Sequence, residues 1–341
     1  MRIIGADIGT MNIVTSVMTN DEKMQFKSIR NMFLPISNDV LEINELTNSQ
    51  LDYVIQKDDN DEDKIFIMGE DAFKLAQIFD NEIKRPMTKG VISTGELDAI
   101  DVLTTMLDKL VGKVEVGMAT YSVPAQSVDI ETPPVLYHQK VFNKIFKALG
   151  YKGRPINEAL AIIYSECRST NFTGIAISFG AGLTNVCCAY KGQPMLSFAV
   201  SRGGDWIDEN AANSIGAVTS RITNIKERDL DLLNSGNGKK KEKRVKEAIT
   251  FYYEDLIEYV LNVFCQEFDK NADGFDIDQE LPIVVSGGTS KPKNFVELFK
   301  TVFDDMDDFP YDVSEIRHAS DPLKAVAKGC LIHGLWENSK K

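Results

Sequence analysis

The strongest constraint on this chain is that it repeats its own opening. Ile3 to Thr10 begins the sequence, and Ile175 to Gly182 returns to the same pattern, with Gly180 standing 171 residues after Gly9. Each run is β-rich, breaks at glycine and resumes as a second apolar run, Asn12 to Met18 in one case and Thr184 to Tyr190 in the other. That pattern reads as strand, tight turn, strand. Two halves that start alike predict two domains of like fold. A length of 341 residues suits two cores better than one.

The rest alternates strand and helix patterns, which indicates an α/β chain. Strands are expected at 24–27, 50–56, 64–68, 113–123 and 281–285. Helices are expected at 70–79, 95–111, 137–149, 157–167, 205–217, 244–268, 293–303 and 322–335. Two segments read as mobile loops: 57–63, which is acidic, and 234–243, rich in Gly, Asn and Lys.

Several function classes are disfavoured by composition. The net charge of −13 repels nucleic-acid phosphates and anionic lipids. No apolar run is long enough to cross a bilayer, and Asp7 interrupts any signal-peptide core. Five scattered cysteines without a CxxC pair read as reduced packing residues of a cytoplasmic protein. Three distant histidines make a histidine metal site an unattractive reading.

The turns carry the chemistry. In Asp7-Ile8-Gly9-Thr10-Met11-Asn12, a glycine turn exposes backbone N–H groups on one side, a nest for phosphate oxygens. Thr10 and Asn12 add side-chain donors. Asp7, at the strand end, is placed to hold Mg²⁺ through water, since that ion favours carboxylates and keeps its own waters. Gly180, Ala181, Gly182, Leu183 and Thr184 form the matching turn. A third piece, Ser286-Gly287-Gly288-Thr289-Ser290-Lys291, ends a buried strand in two glycines that let a flat ring approach the backbone. The Lys291 stem can lie on a purine face.

In this order and spacing the pieces resemble the actin, sugar kinase and heat-shock chaperone superfamily. Asp7 to Asn12 resembles its first phosphate loop, 155–161 its first connecting helix, 179–184 its second phosphate loop, 283–291 its adenosine motif and 321–330 its second connecting helix. The chain is most similar to bacterial actins of the MreB type, the magnetosome actin MamK included, through 67–72, Arg85-Pro86-Met87-Thr88-Lys89-Gly90-Val91-Ile92, 122–124 and 203–209.

The resemblance implies an actin-like ATPase fold of two duplicated ribonuclease H-like α/β domains around a nucleotide cleft. The first would span 1–147, with a small subdomain inserted at about 33–66, and be completed by a C-terminal helix at 320–341. The second would span 148–319, with an insertion at about 191–246. ATP or ADP with Mg²⁺ is the implied ligand. Head-to-tail self-assembly into filaments, with unidentified adaptor proteins, is the implied behaviour. Glu158 would orient the attacking water. Gly204 and Asp205 would help to bind the nucleotide, and Lys226 and Glu227 would flank its ribose.

The sequence departs from the family pattern at three points. Ser178 stands at the usual Asp of the second loop, Leu183 at a usual Thr, and Ala159 at the usual Pro. Backbone N–H groups remain for binding, so slow hydrolysis is the expectation. A small-molecule kinase or a non-polymerising scaffold ATPase is the alternative; a kinase needs a catalytic Asp, for which Asp129 is the available residue. The segment 269–280 fits calcium-loop spacing, but Asp276 replaces an apolar residue and a strand pattern follows, so it reads as a surface loop. The basic run 239–246 reads as a solvated helix start, with contact to an acidic neighbouring subunit as the sharper reading. Met32-Phe33-Leu34 reads as buried strand rather than membrane anchor.

Overall fold

The computed structural model describes residues 1–36, 51–57, 63–79, 82–93, 95–96, 98–130, 135–234, 240–270 and 277–340. Most of the acidic loop, half of the basic Gly/Asn/Lys loop and the middle of the calcium-like loop lie outside the described residues.

The first half opens with β1 (Arg2–Ile8), β2 (Asn12–Met18) and β3 (Met24–Arg30). β4 (Phe33–Ile36), β5 (Tyr53–Lys57) and β6 (Asp63–Met68) follow, then α1 (Gly69–Phe79), the short pair β7 (Met87–Thr88) and β8 (Val91–Ile92), and α2 (Ala99–Val111). Next come β9 (Gly117–Val123), α3 (Val135–Ala148), β10 (Tyr151–Asn157) and α4 (Glu158–Glu166). The second half contains β11 (Gly174–Phe179), β12 (Thr184–Tyr190), β13 (Gln193–Val200), α5 (Gly204–Ile215), α6 (Thr219–Asp229) and α7 (Lys240–Lys270). It ends with β14 (Leu281–Ser286), α8 (Phe295–Asp304), β15 (Val313–His318) and α9 (Ala325–Ser339).

The repeat in the sequence is a repeat in topology. One sheet runs β10-β9-β1-β2-β3 and the other β15-β14-β11-β12-β13. Both have an antiparallel hairpin followed by a third antiparallel strand, with two parallel strands on the other side. Register agrees as well: Asp7 pairs with Val14 and Ser178 with Asn185, all shifted by the same 171 residues. A separate three-stranded sheet, β4-β6-β5, buries Phe33, Leu34, Phe66 and Ile67. Met32, Phe33 and Leu34 are thus buried, although only the last two lie in a strand.

Each half has its own apolar core. Between them lies a third cluster built on α4 and α9. α4 buries every residue from Ala159 to Ser165, the mark of an interior helix. Asn157 caps its start, its side chain accepting from the Leu160 N–H at 2.9 Å. α9 crosses α4 where Gly329 faces Ala161: a Cβ on Gly329 would sit 1.7 Å from the Ala161 carbonyl oxygen. The other side of α9 presses on β1, where a Cβ on Gly5 would lie 2.3 Å from Ala327 O, and on β2, where Ser16 donates to the Ala327 carbonyl at 2.7 Å. These two helices therefore carry the connection between the halves.

Five strands depart from expectation. β10, β13 and β15 and the short pair β7 and β8 fall where no strand is expected, and 113–116 precedes β9 as irregular chain. The predicted helices are present, displaced at their ends by up to a turn or so.

Candidate nucleotide cleft

The hairpin turns are built alike. Gly9 N–H donates to the Asn12 carbonyl at 3.0 Å, and Gly180 N–H to the Leu183 carbonyl at 3.1 Å. Their carbonyls are tied backwards. Asn31 donates through its side chain to Gly9 O at 2.9 Å and through its backbone to Met11 O at 2.8 Å. Gly180 O accepts from Gly204 N and from the Thr289 hydroxyl, and Ala181 O accepts from Asp205 N. The N–H groups of Thr10, Met11, Ala181 and Gly182 have no hydrogen-bond partner among the described residues. Two sets of unpaired amides thus flank one space, with the positive end of α5 behind the second set.

That space is a cleft of about 1020 Å³ lined from both halves. Asp7, Gly9, Thr10, Met11, Asn12 and Glu158 line it, as do Gly180, Ala181, Gly182, Leu183, Gly204, Asp205, Lys226, Glu227, Gly287, Gly288, Thr289 and Lys291. Thr184 and Ser290 do not line it: both are fully buried behind their turns, donating to Arg202 O at 2.8 Å and to Gly287 O at 2.8 Å. Their polar groups hold the backbone rather than face a ligand. Gly287 has φ +92°, and a Cβ there would lie 2.3 Å from Phe179 O, so this turn requires glycine. Gly288 is open, with only Leu323 within reach of an added Cβ, at 3.7 Å.

Deep in the cleft sit the two carboxylates. Asp7 accepts from the Ser122 hydroxyl at 3.0 Å. Glu158 accepts from Ser178 at 2.6 Å and Asn185 at 2.8 Å. Burial raises the pKa of both, and the Asp7 charge raises Glu158 further. A cation between them would reverse that pressure, so the donor set fits one hard ion held by a carboxylate and by phosphate oxygens.

Lys226 and Glu227 line the cleft, but both are engaged. Lys226 pairs with Asp208 at 2.8 Å and donates to Gly204 O at 2.8 Å, bracing the start of α5. Burial raises the Asp208 carboxyl, while Lys226 pulls it back down. Glu227 pairs with Arg30 of the opposite half at 3.0 Å, and Arg30 also pairs with Glu70 and lies over the Phe73 ring. Arg85 reaches Asp205 at 2.8 Å, a second ion pair across the cleft. The β7–β8 hairpin joins the two turns: Gly90 N–H donates to Thr10 Oγ1 at 3.0 Å, and Gly182 leaves no room for a Cβ against Thr10 and Lys89. Asp129 lies outside the cleft lining and is consumed by Ser127, Ser201 and Tyr259, which removes the kinase reading's catalytic base. Nothing in the sequence gives Ser122, Asn185, Asp208 or Arg30 a role in the cleft. The available signal for the first two was a polar residue inside a buried strand run.

The family model described as Volactin matches residues 1–334. The chain belongs to the Volactin family. No curated protein matches it. Among solved structures, this Volactin-family chain is similar to a MamK double helical filament, with TM-score 0.68 and 16% identity over 100% of this chain and 99% of that one. It is similar to MreB5 of Spiroplasma citri bound to ADP, with TM-score 0.65 and 15% identity over 99% and 98%. The ethanolamine utilization protein EutJ from Carboxydothermus hydrogenoformans follows at TM-score 0.56 and 16% identity over 98% and 90%. The chain therefore has an actin-like fold, similar to those of MamK and MreB5. No helix among the described residues is long and apolar enough to cross a membrane.

Proposed function

We propose that this protein binds ATP with Mg²⁺ in the cleft, assembles head to tail with copies of itself into filaments, and hydrolyses the nucleotide slowly. The observation that carries the reading is the pair of duplicated turns with four unpaired amides facing one cleft that also holds Asp7 and Glu158. The ADP-bound MreB5 and the MamK filament lend support, since both share this fold. The domains are taken as 1–147 with 320–341, and 148–319. Free, mostly buried thiols suit a cytoplasmic setting.

The turn amides cradle the phosphates from both sides. A base resting on the open backbone of Gly288 would place Lys291 at its edge. A bound Mg²⁺ supplies neutralisation of the phosphate oxygens. Asp7 would hold that ion, and Glu158 is placed to orient the attacking water and accept its proton. Ser178 brings a hydroxyl where a second carboxylate is usual, which is the reason for slow turnover. Ligand contacts on both halves favour the closed shape, and closure favours assembly.

Sedimentation and electron microscopy with ATP and Mg²⁺, with ADP, and without nucleotide test the reading, together with phosphate release. Filaments that depend on ATP are expected. Dispersed monomers with no nucleotide affinity by calorimetry overturn it.

A further inference from the structure

We infer that Ser178 and Asn185 form a two-point clamp on the Glu158 carboxylate, and that Asn185 ties this clamp to the strap 125–129 that crosses from the first half onto the second sheet. The inference rests on the hydrolytic reading of Glu158 and assigns positioning residues to it.

The duplication shows what is unusual here. Ser178 occupies the register position that Asp7 holds in the first half. Asp7 only accepts a hydrogen bond there, from Ser122, whereas Ser178 donates one, to Glu158 Oε1 at 2.6 Å. The other carboxylate oxygen is held by Asn185 Nδ2 at 2.8 Å. A carboxylate gripped at both oxygens cannot rotate, yet each oxygen keeps a lone pair for water. Charge-assisted bonds of this kind are the strong ones.

Asn185 is fully buried, and its orientation is set by its neighbours. Its Oδ1 accepts from the Ala125 backbone N–H at 2.9 Å, and a backbone N–H can only donate, so the amide nitrogen must face Glu158. Ala125 begins the strap. Gln126 O accepts from Ala199 N–H and Val128 N–H donates to Ala199 O, both at 3.0 Å, adding the strap to the edge of β13. Asp129 pins its end to Ser201. The aim of Glu158 is therefore fixed by where the strap lies on the second sheet.

The test measures phosphate release and AMPPNP affinity for the full chain and the variants E158Q, S178A, S178T and N185D. N185D keeps an acceptor for Ala125 but removes the donor to Glu158, and thermal unfolding reports whether it folds. S178A and N185D are expected to lose roughly 10–100-fold in turnover, the scale of a misplaced catalytic group, with affinity held within about threefold. S178T, which keeps the hydroxyl, is expected to recover most of the rate. If N185D does not fold, the S178A and S178T pair decides. Wild-type turnover in S178A and N185D, with E158Q slow, overturns the clamp and leaves Glu158 in its role. Wild-type turnover in E158Q overturns the Glu158 reading itself. A wild-type protein that binds nucleotide but releases no phosphate overturns hydrolysis and clamp together, and leaves the cleft assignment standing.

Discussion

Replacing Gly329 with alanine probes the joint between the halves. The added Cβ would lie 1.7 Å from Ala161 O and 2.5 Å from its carbonyl carbon, both backbone atoms of α4. An unstrained carbon–oxygen contact needs roughly 3.3 Å, so the helices must part by about 1.6 Å. α9 cannot retreat, because its other face is already tight on β1: a Cβ on Gly5 would lie 2.3 Å from Ala327 O. Overpacking of this kind costs about 3 kcal/mol or more. The better helix propensity of alanine returns about 1 kcal/mol. The net loss is about 2–3 kcal/mol, or roughly 3–4 °C in Tm for a chain of this size. Function should suffer more than stability. α4 carries Glu158 and β1 carries Asp7, so parting the helices moves the carboxylates apart, and a displacement near 1 Å costs about 100-fold in rate. Circular dichroism melts and phosphate release read both effects. Gly334→Ala is the control: its Cβ would meet side-chain atoms, Thr120 Oγ1 at 2.6 Å and Ile3 Cγ2 at 3.3 Å, which can yield. Wild-type stability and turnover in Gly329→Ala, or greater damage in the control, would refute the argument.

Three further outcomes are expected. Because burial raises the pKa of Asp7 and Glu158, the nucleotide-free folded state binds more protons than the unfolded chain, so its stability falls as pH rises from the ordinary carboxylate range through the folded pKa values. Asp7→Asn should flatten that fall and raise the Tm of nucleotide-free protein at pH 8; an unchanged or lower Tm counts against it. Arg30→Ala removes the ion pair to Glu227 at a partly exposed site, where such pairs contribute up to about 1 kcal/mol, so nucleotide release should quicken by up to about fivefold in stopped flow. An unchanged release rate would show that the pair does not guard the cleft. Asp129→Ala strips the acceptor from Ser127, Ser201 and Tyr259 and should cost about 1–3 kcal/mol, read as a shift in denaturation midpoint at constant slope.

The sequence was most legible where local pattern and tertiary role agree. The hairpins show in sequence because a buried strand needs an apolar run and a tight turn needs glycine, and both requirements recur 171 residues apart. β10, β13 and β15 were illegible for the opposite reason. They are edge strands. β10 carries Lys152, Gly153, Arg154 and Pro155, and β15 carries Glu315 and Arg317, residues that edges tolerate and strand patterns exclude. In the cleft, residue type showed which groups face inward but not which are already paired. Lys226 stands in the sequence as a ribose neighbour by resemblance; only the fold reveals Asp208 beneath it. Thr184 and Ser290 stand in the sequence within the two binding turns, and the fold directs both hydroxyls to backbone carbonyls.

The matched register of the two sheets leaves a question of direction, which a handful of side chains answers. A cleft with near-twofold geometry would admit a chain of phosphates in either sense. The pairings Ala6 with Tyr121 and Ile177 with Val285 carry the correspondence two residues further, to Val123 and Pro124 on one side and Gly287 and Gly288 on the other. Where the second half has two glycines the first has Val123 and a buried Pro124, and the register position that holds the Asp7 carboxylate in one half holds the Ser178 hydroxyl in the other. Chemistry thus breaks what folding made symmetric: on the proposed reading a flat ring would rest against the second half, and the molecule acquires a left and a right.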